Sequence, residues 1–313
     1  MPRKLRVQYP GALYHVMNRG DRRKPIFQDD TDRQIFIETL AQACEKTAWQ
    51  VHAYCLMNNH FHFVVETPQG NLVAGMKWLL STYTMRFNRR HKYFGHLFSG
   101  RYKALIVDGS GTGYLKSVCD YVHLNPARAK LLTERQKLTA HVWSSYPDYL
   151  KPKKKRPAWL RTDRLLGEHG ISKDSSAGLR EFALRVEARR HEEGSLEQYK
   201  KIRRGWCLGE PGFRKELLEQ MHGQLGEHHD GPEKLESAEE KAEGIITQEL
   251  KKLRWKEGDL ERRRKGDPQK VRMAARLRKE TTVTLKWIAQ RLHMGAWTHV
   301  TNRLYWAKRK QNK

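Results

Sequence analysis

The chain has 313 residues, with 61 Lys or Arg against 35 Asp or Glu and a formal net charge of +26. This length allows two or three domains and at least one well-buried core. The charge favours a polyanionic partner, because every phosphate neutralised by a cation releases a counterion; nucleic acid leads and an anionic membrane surface comes second. No apolar run reaches the roughly eighteen residues of a spanning helix, and Met-Pro-Arg-Lys-Leu-Arg is not followed by the apolar core of a signal peptide. Cys44, Cys55, Cys119 and Cys207 form neither a close metal-binding pair nor a dense disulfide framework. The expected setting is therefore reducing and cytoplasmic.

In chain order, Ala12 to Arg19 reads as a strand, ended by Asn18-Arg19-Gly20-Asp21. Asp29-Asp30-Thr31-Asp32 is a helix start, after which Phe36, Leu40, Ala43, Cys44 and Thr47 fall on one face. Trp49 to Leu56 is a second strand. A short Asn58-Asn59 turn leads from it to a third, His60-Phe61-His62-Phe63-Val64-Val65-Glu66. Pro68-Gln69-Gly70 stops that strand. A long helix follows, with Leu72, Met76, Leu79, Leu80, Tyr83 and Phe87 on one side and a basic far end at Arg86, Arg89, Arg90 and Lys92. Arg101 to Asp108 is a fourth strand candidate, and Gly111-Thr112-Gly113 opens a helix carrying Tyr121. The order β-α-β-β-α-β predicts a ferredoxin-like antiparallel sheet with a further helix appended.

Composition then shifts. Lys151 to Arg156 reads as a solvated linker, and residues 160 to 225 hold helical patterns such as Leu179 to Arg190 without a chemical motif. Glu227 to Glu243 is polar and reads as a second linker or loop. In the last segment, Leu285, Ile288, Ala289 and Leu292 form one helical stripe. His293-Met294-Gly295 makes a turn, and Val300, Leu304 and Tyr305 form a second stripe. A helix-turn-helix over 281–306 follows, with Trp297, Thr298, Asn302 and Arg303 facing outward, types that reach base edges or phosphates. The expected class is α+β: a sheet domain over 1–150, a helical domain over 151–226 and a helical region over 227–313.

Chemistry concentrates in two places. Strand side chains alternate between faces, so His60 and His62 share one face while Phe61, Phe63 and Val65 share the other. Paired imidazoles can hold a transition metal, but two ligands alone make a weak site. A third is available in Tyr121-Val122-His123-Leu124-Asn125-Pro126. At about 100° per residue, Tyr121 and Asn125 lie on neighbouring radial directions, while Asp120 and His123 point elsewhere. Pro126 ends or bends the helix near Asn125. Tyr114, seven residues earlier, projects almost the same way as Tyr121, and only Tyr121 has an amide four positions on. Two imidazoles holding a metal beside a phenol suit covalent attack on a phosphodiester, giving a 5′-phosphotyrosine and a free 3′-OH. No Walker A loop accompanies them.

These residues together resemble the single-tyrosine HUH transposases, and within them the REP-associated tyrosine transposases with their IS200-like domain. The matching pieces are Tyr9-Pro10-Gly11, Tyr14-His15-Val16-Met17-Asn18-Arg19-Gly20, Leu56 to His62, Phe98-Ser99-Gly100-Arg101-Tyr102-Lys103, Tyr121 to Ala129, and Trp143-Ser144-Ser145-Tyr146, in order across about residues 5 to 150. The resemblance implies a ferredoxin-like nuclease, a Mg²⁺ or Mn²⁺ ion, and single-stranded DNA, often beside a hairpin, as substrate. It implies metal binding by His60 and His62, completion of the metal site by Asn125, and Tyr121 as nucleophile. Members act as monomers or homodimers. The C-terminal half extends beyond the small members of the family.

Arg19, Arg22, Arg23, Arg101 and Lys103 are candidate phosphate contacts, and Tyr102, Phe98 and Trp78 candidate base-stacking platforms. Two other readings compete with the enzyme. A non-catalytic DNA-binding regulator would share the charge and the C-terminal helices but has no use for a nucleophile beside a metal. A replication initiator or relaxase would share the chemistry but order its motifs differently.

Overall fold

The computed structural model describes residues 7–192, 199, 202, 205–222 and 233–311. It divides into two compact units: Met1–Cys44, Ala48–Gly70 and Leu79–His229 make the first, and Glu45–Thr47, Asn71–Trp78 and Asp230–Lys313 the second.

The first unit is built on β1 (Ala12–Arg19), α1 (Asp30–Thr47) up to Cys44, β2 (Gln50–Leu56), β3 (His60–Thr67), α2 (Leu72–His91) from Leu79 onward, β4 (Lys103–Val107) and α3 (Tyr114–His123). The sheet order is β2-β3-β1-β4, antiparallel throughout, which is the ferredoxin-like arrangement with α3 appended. A two-residue strand, β5 (Cys207–Leu208), adds a parallel edge to β4.

Local signals account for the element ends. Asp29 caps α1 by accepting a hydrogen bond from the Asp32 amide at 3.0 Å, satisfying a donor the first helical turn leaves open. The Met57 amide bonds to the His60 carbonyl at 2.9 Å and closes the Asn58-Asn59 hairpin. Gly20 ends β1 where a Cβ would lie 2.1 Å from the Lys24 carbonyl oxygen, so only glycine fits the turn back from the strand.

Alternation along β3 decides what each sheet face does. Phe61 and Phe63 are fully buried and stack 5.4 Å apart on the apolar face. There Phe36 of α1 packs 4.9 Å from Phe61, and Tyr83 of α2 lies 5.0 Å from Phe36. Burial of each such ring is worth about 1.5–3 kcal/mol. On the opposite face α3 packs against β2 and β3 through its buried Leu115, Val118, Cys119 and Val122 stripe.

The segment after 150 is not the separate helical domain expected from composition. It belongs to the same compact unit as the sheet. Leu160 bridges to Val51, and the Tyr149 hydroxyl donates to the His52 carbonyl at 2.6 Å. Phe182, in the helix Ser176–Glu192, stacks 5.3 Å from Tyr149. Arg161 and Arg164 both reach the Glu66 carboxylate, at 3.1 and 2.9 Å. The expected linker Lys151 to Arg156 is a short exposed turn that ends by anchoring Arg156 to Asp174 at 2.6 Å. Lys151 to Lys155 are exposed as expected, but the Arg156 side chain is buried in its ion pair, and the chain does not change domain there.

The second unit contains the helices Glu233–Leu253, Asp259–Arg262, Pro268–Glu280, Leu285–Arg291 and Trp297–Gln311. Residues 233–243, expected as part of a linker, open the first of these helices; 227–232 lie outside the described residues. Its core includes Ile246, Leu260, Ala274, Leu277, Ile288, Leu292 and Val300. Thr284 caps Leu285–Arg291 by accepting from the Trp287 amide at 3.1 Å. The turn to the last helix uses left-handed backbone at His293 and Gly295. The fully buried Lys270 side chain holds that turn by donating to the His293 carbonyl at 3.3 Å. The expected helix pair is present, with one exception: Tyr305 is 59% exposed and does not join the stripe of Val300 and Leu304. No described helix is long and apolar enough to cross a membrane.

Candidate active site

The imidazole face of the sheet opens into a cavity of about 670 Å³ at the Arg19 end of β1. Strand register explains its floor. Arg19 pairs with His60 and Met17 with His62, while Met17 also pairs with Lys103 of β4, so these side chains share one face. α3 supplies the wall, and Tyr121 and Asn125 line the cavity together with the paired histidines.

The rings are in contact distance. His60 and His62 have centroids 5.1 Å apart, and the edge of Tyr121 meets His62 at 5.9 Å. His15 completes the cluster: its Nε2 is hydrogen-bonded to Nδ1 of His62 at 2.9 Å, and its ring lies 5.6 Å from Tyr121. His60 Nδ1 is likewise paired with Asn59 Oδ1 at 2.7 Å. Both candidate ligands thus have one ring nitrogen fixed by a neighbour, which orients the other for a ligand. Burial lowers His60 to about 4, with Arg19 adding to the shift. Burial holds His62 well below the usual range, with His15 and His60 next in effect, and lowers His15 to about 4. At neutral pH all three are uncharged imidazoles, the form that can donate a lone pair.

Asn125 is 7% exposed, and its amide nitrogen has no partner among the described residues. The same is true of Asn18, which also lines the cavity. Two buried amide nitrogens without a described partner at one opening indicate a polar occupant. Among the described residues there is no cluster of three or more His, Cys, Asp or Glu placed to hold a metal. The chain's own donors are two imidazoles and an amide, so a bound divalent ion would draw its remaining ligands from phosphate and water.

The rival tyrosine separates cleanly. The Tyr114 hydroxyl donates to Glu210 at 2.9 Å and does not line the cavity. Asp120 and His123 do point elsewhere, Asp120 to His169 at 3.0 Å and His123 to Ser145 at 2.8 Å. Arg19, Arg22, Arg23, Arg101 and Lys103 all line the cavity, joined by Arg128, and no carboxylate among the described residues does. Such a one-signed cleft concentrates anions. The stacking platforms fare differently. Phe98 and Tyr102 are buried, and Phe98 packs 6.0 Å from Phe61; Trp78 is half-buried under Lys46. Core packing claims Phe98 and Tyr102. In the second unit Trp297, Thr298, Asn302 and Arg303 are exposed as expected.

Residues 8–125 match the family model for IS200-like transposases. This part of the chain, a little over a third of it, carries the sequence pattern of that family. A search of curated proteins gives no match. Among solved structures, the chain is similar to a REP-associated tyrosine transposase bound to a REP hairpin, at 13% identity, covering 47% of this chain and 84% of that one, with a TM-score of 0.39. At that score the likeness adds nothing to the functional argument.

Proposed function

We propose that the IS200-like domain is a single-strand DNA nuclease and strand transferase in which Tyr121 is the nucleophile. The observation that carries this reading is the Tyr121 ring set 5.9 Å from His62 inside a basic cavity. A non-catalytic regulator would need the charge but not this pairing.

The basic rim formed by Arg19, Arg22, Arg23, Arg101 and Lys103 draws a strand in and holds its phosphates. Bound by His60, His62 and Asn125, Mg²⁺ or Mn²⁺ would supply charge stabilisation to a nonbridging phosphate oxygen. The phenol oxygen of Tyr121 forms the new bond to phosphorus, and the 3′ oxygen leaves with the electron pair of the broken bond. Tyr121 gives up one proton and the departing 3′ oxygen takes one up. The product is a 5′-phosphotyrosine that a second 3′-OH can reverse, so strand joining needs no nucleotide energy. The sequence resemblance adds a preference for DNA beside a hairpin. The exposed face of the last helix, with Trp297, Thr298, Asn302 and Arg303, would add double-strand contacts as a helix-turn-helix.

The test is incubation with a pool of single-stranded hairpin oligonucleotides and Mn²⁺, followed by sequencing of the DNA attached to protein. Attachment is expected to vanish in Tyr121→Phe and persist in Tyr114→Phe. The reverse pattern, or equal attachment in both, would overturn the assignment.

A further inference from the structure

One feature of the cavity comes from outside residues 8–125. Arg128 ends the short helix Asn125–Arg128 that follows the break at Leu124, and lays its guanidinium 4.2 Å from the Tyr121 ring centroid. Both its terminal nitrogens donate to the Tyr121 main-chain carbonyl, at 3.2 and 3.3 Å. Tyr199 packs beside both residues, its ring centroid 4.6 Å from the guanidinium and 5.2 Å from the Tyr121 ring, so that the three groups form one compact triangle. Tyr199 is 5% exposed, as is Ile202 three positions further on, which lines the cavity. Besides the strand histidines, Tyr121 is thus packed by a cation and a second aromatic ring.

We propose that Tyr199 is a positioning residue for Tyr121, packing on its ring and holding Arg128 beside it. The reason is geometric. A tyrosine ring keeps two torsional freedoms, and in-line attack tolerates little error in the approach of its oxygen. The strand side of the ring is limited by His15 and His62, at 5.6 and 5.9 Å. Arg128 limits another side. An arginine side chain is itself long and flexible, so it restrains a neighbour only if held; the flat face of Tyr199 holds it by stacking and cation–π attraction. The inference rests on Tyr121 as the nucleophile. It adds that a segment beyond the family-matched region completes the working geometry of the site.

The test compares Tyr199→Phe and Tyr199→Leu in the full chain, with single-turnover covalent attachment to a cleavable hairpin oligonucleotide and Mn²⁺. Tyr199→Phe keeps the flat ring and is expected to attach DNA within about twofold of the parent rate. Tyr199→Leu keeps apolar bulk without the ring face and is expected to slow attachment about tenfold, the loss of one cation–π restraint. Its half-saturating DNA concentration should stay within about twofold, which separates misaligned chemistry from lost binding. Arg128→Lys should slow attachment at least as much as Tyr199→Leu, since an ammonium cannot stack. Melting curves check that each variant is folded. If Tyr199→Leu attaches DNA at the parent rate, or Tyr199→Phe fails as badly as Tyr199→Leu, the positioning role is wrong while Tyr121 as nucleophile survives. If Tyr121→Phe still attaches DNA, the underlying reading fails instead.

Discussion

The two faces of β3 arise from one alternating sequence and do different work. Phe61 and Phe63 face a packed layer in which every ring has ring neighbours, and they are fully buried. His60 and His62 face a cavity, and among the described residues their polar atoms are paired only with His15 and Asn59. The first face is stabilising; the second costs stability, because it holds desolvated imidazoles and two buried amide nitrogens without a partner among the described residues. A fold that keeps such a face beside a one-signed cleft has its stability supplied from the other side of the same strand.

Substitutions should split along that line. The largest effect on chemistry is expected from His60→Ala combined with His62→Ala, which should cut strand cleavage a hundredfold or more, roughly what loss of a metal-assisted step brings. EDTA should reproduce it in the parent protein. Metal-independent cleavage by the double variant would remove the metal assignment. Phe61→Ala should do the opposite: about 3–5 kcal/mol less stability by denaturant titration, with the cleavage rate per folded molecule near the parent value. A stable Phe61→Ala protein with lost activity would merge the two faces into one function.

Glu66 sharpens the comparison, because it shares the imidazole face yet sits at the far end of the strand. Its bond to His52, then the nearby Arg164, holds its carboxyl down at about 2 against burial, which pushes the other way. A carboxyl lowered on folding stabilises above its unfolded value near 4.5, and that contribution is lost as pH falls from there towards 2. Glu66→Gln should therefore lower stability by about 1–3 kcal/mol at neutral pH. It should also flatten the acid limb of the stability profile and leave cleavage unchanged. An unaltered acid limb would mean that Glu66 is not the titrating group. The smallest effect is expected in the second unit: Trp297→Ala with Asn302→Ala should weaken DNA binding several-fold, about 1 kcal/mol, without slowing cleavage at saturating DNA. Unchanged binding would remove the helix-turn-helix role.

Legibility followed the range of the physics. Elements set by local pattern were readable: β1 runs over Ala12–Arg19 as its alternation predicts, Asp29 caps α1, and the helix with Tyr121 stops before Pro126. The faces of β3 were readable too, because alternation needs no partner. His15 was present in the matched motif, but its place beside His62 depends on how β1 registers against β3, which neither strand specifies alone. Tyr199 carries no local signal at all; it matters because the chain returns to the cavity more than seventy residues after Arg128. The same limit explains why residues 151–192 looked independent. Arg161 and Arg164 tie this segment to the sheet through Glu66, a contact that no local pattern specifies. Phe98 and Tyr102 erred the other way, since aromatic residues near basic ones suit a stacking platform and a core equally well.

The most direct measurement is peptide mapping of the covalent product. The full chain is incubated with Mn²⁺ and a single-stranded oligonucleotide that it cleaves, digested with trypsin and nuclease, and the nucleotide-bearing peptide is sequenced by mass spectrometry. The account predicts a phosphodiester remnant on Tyr121, linked through the 5′ phosphate. A remnant on Tyr114 or any other residue, a 3′ linkage, or cleavage that leaves no protein-bound nucleotide would contradict it.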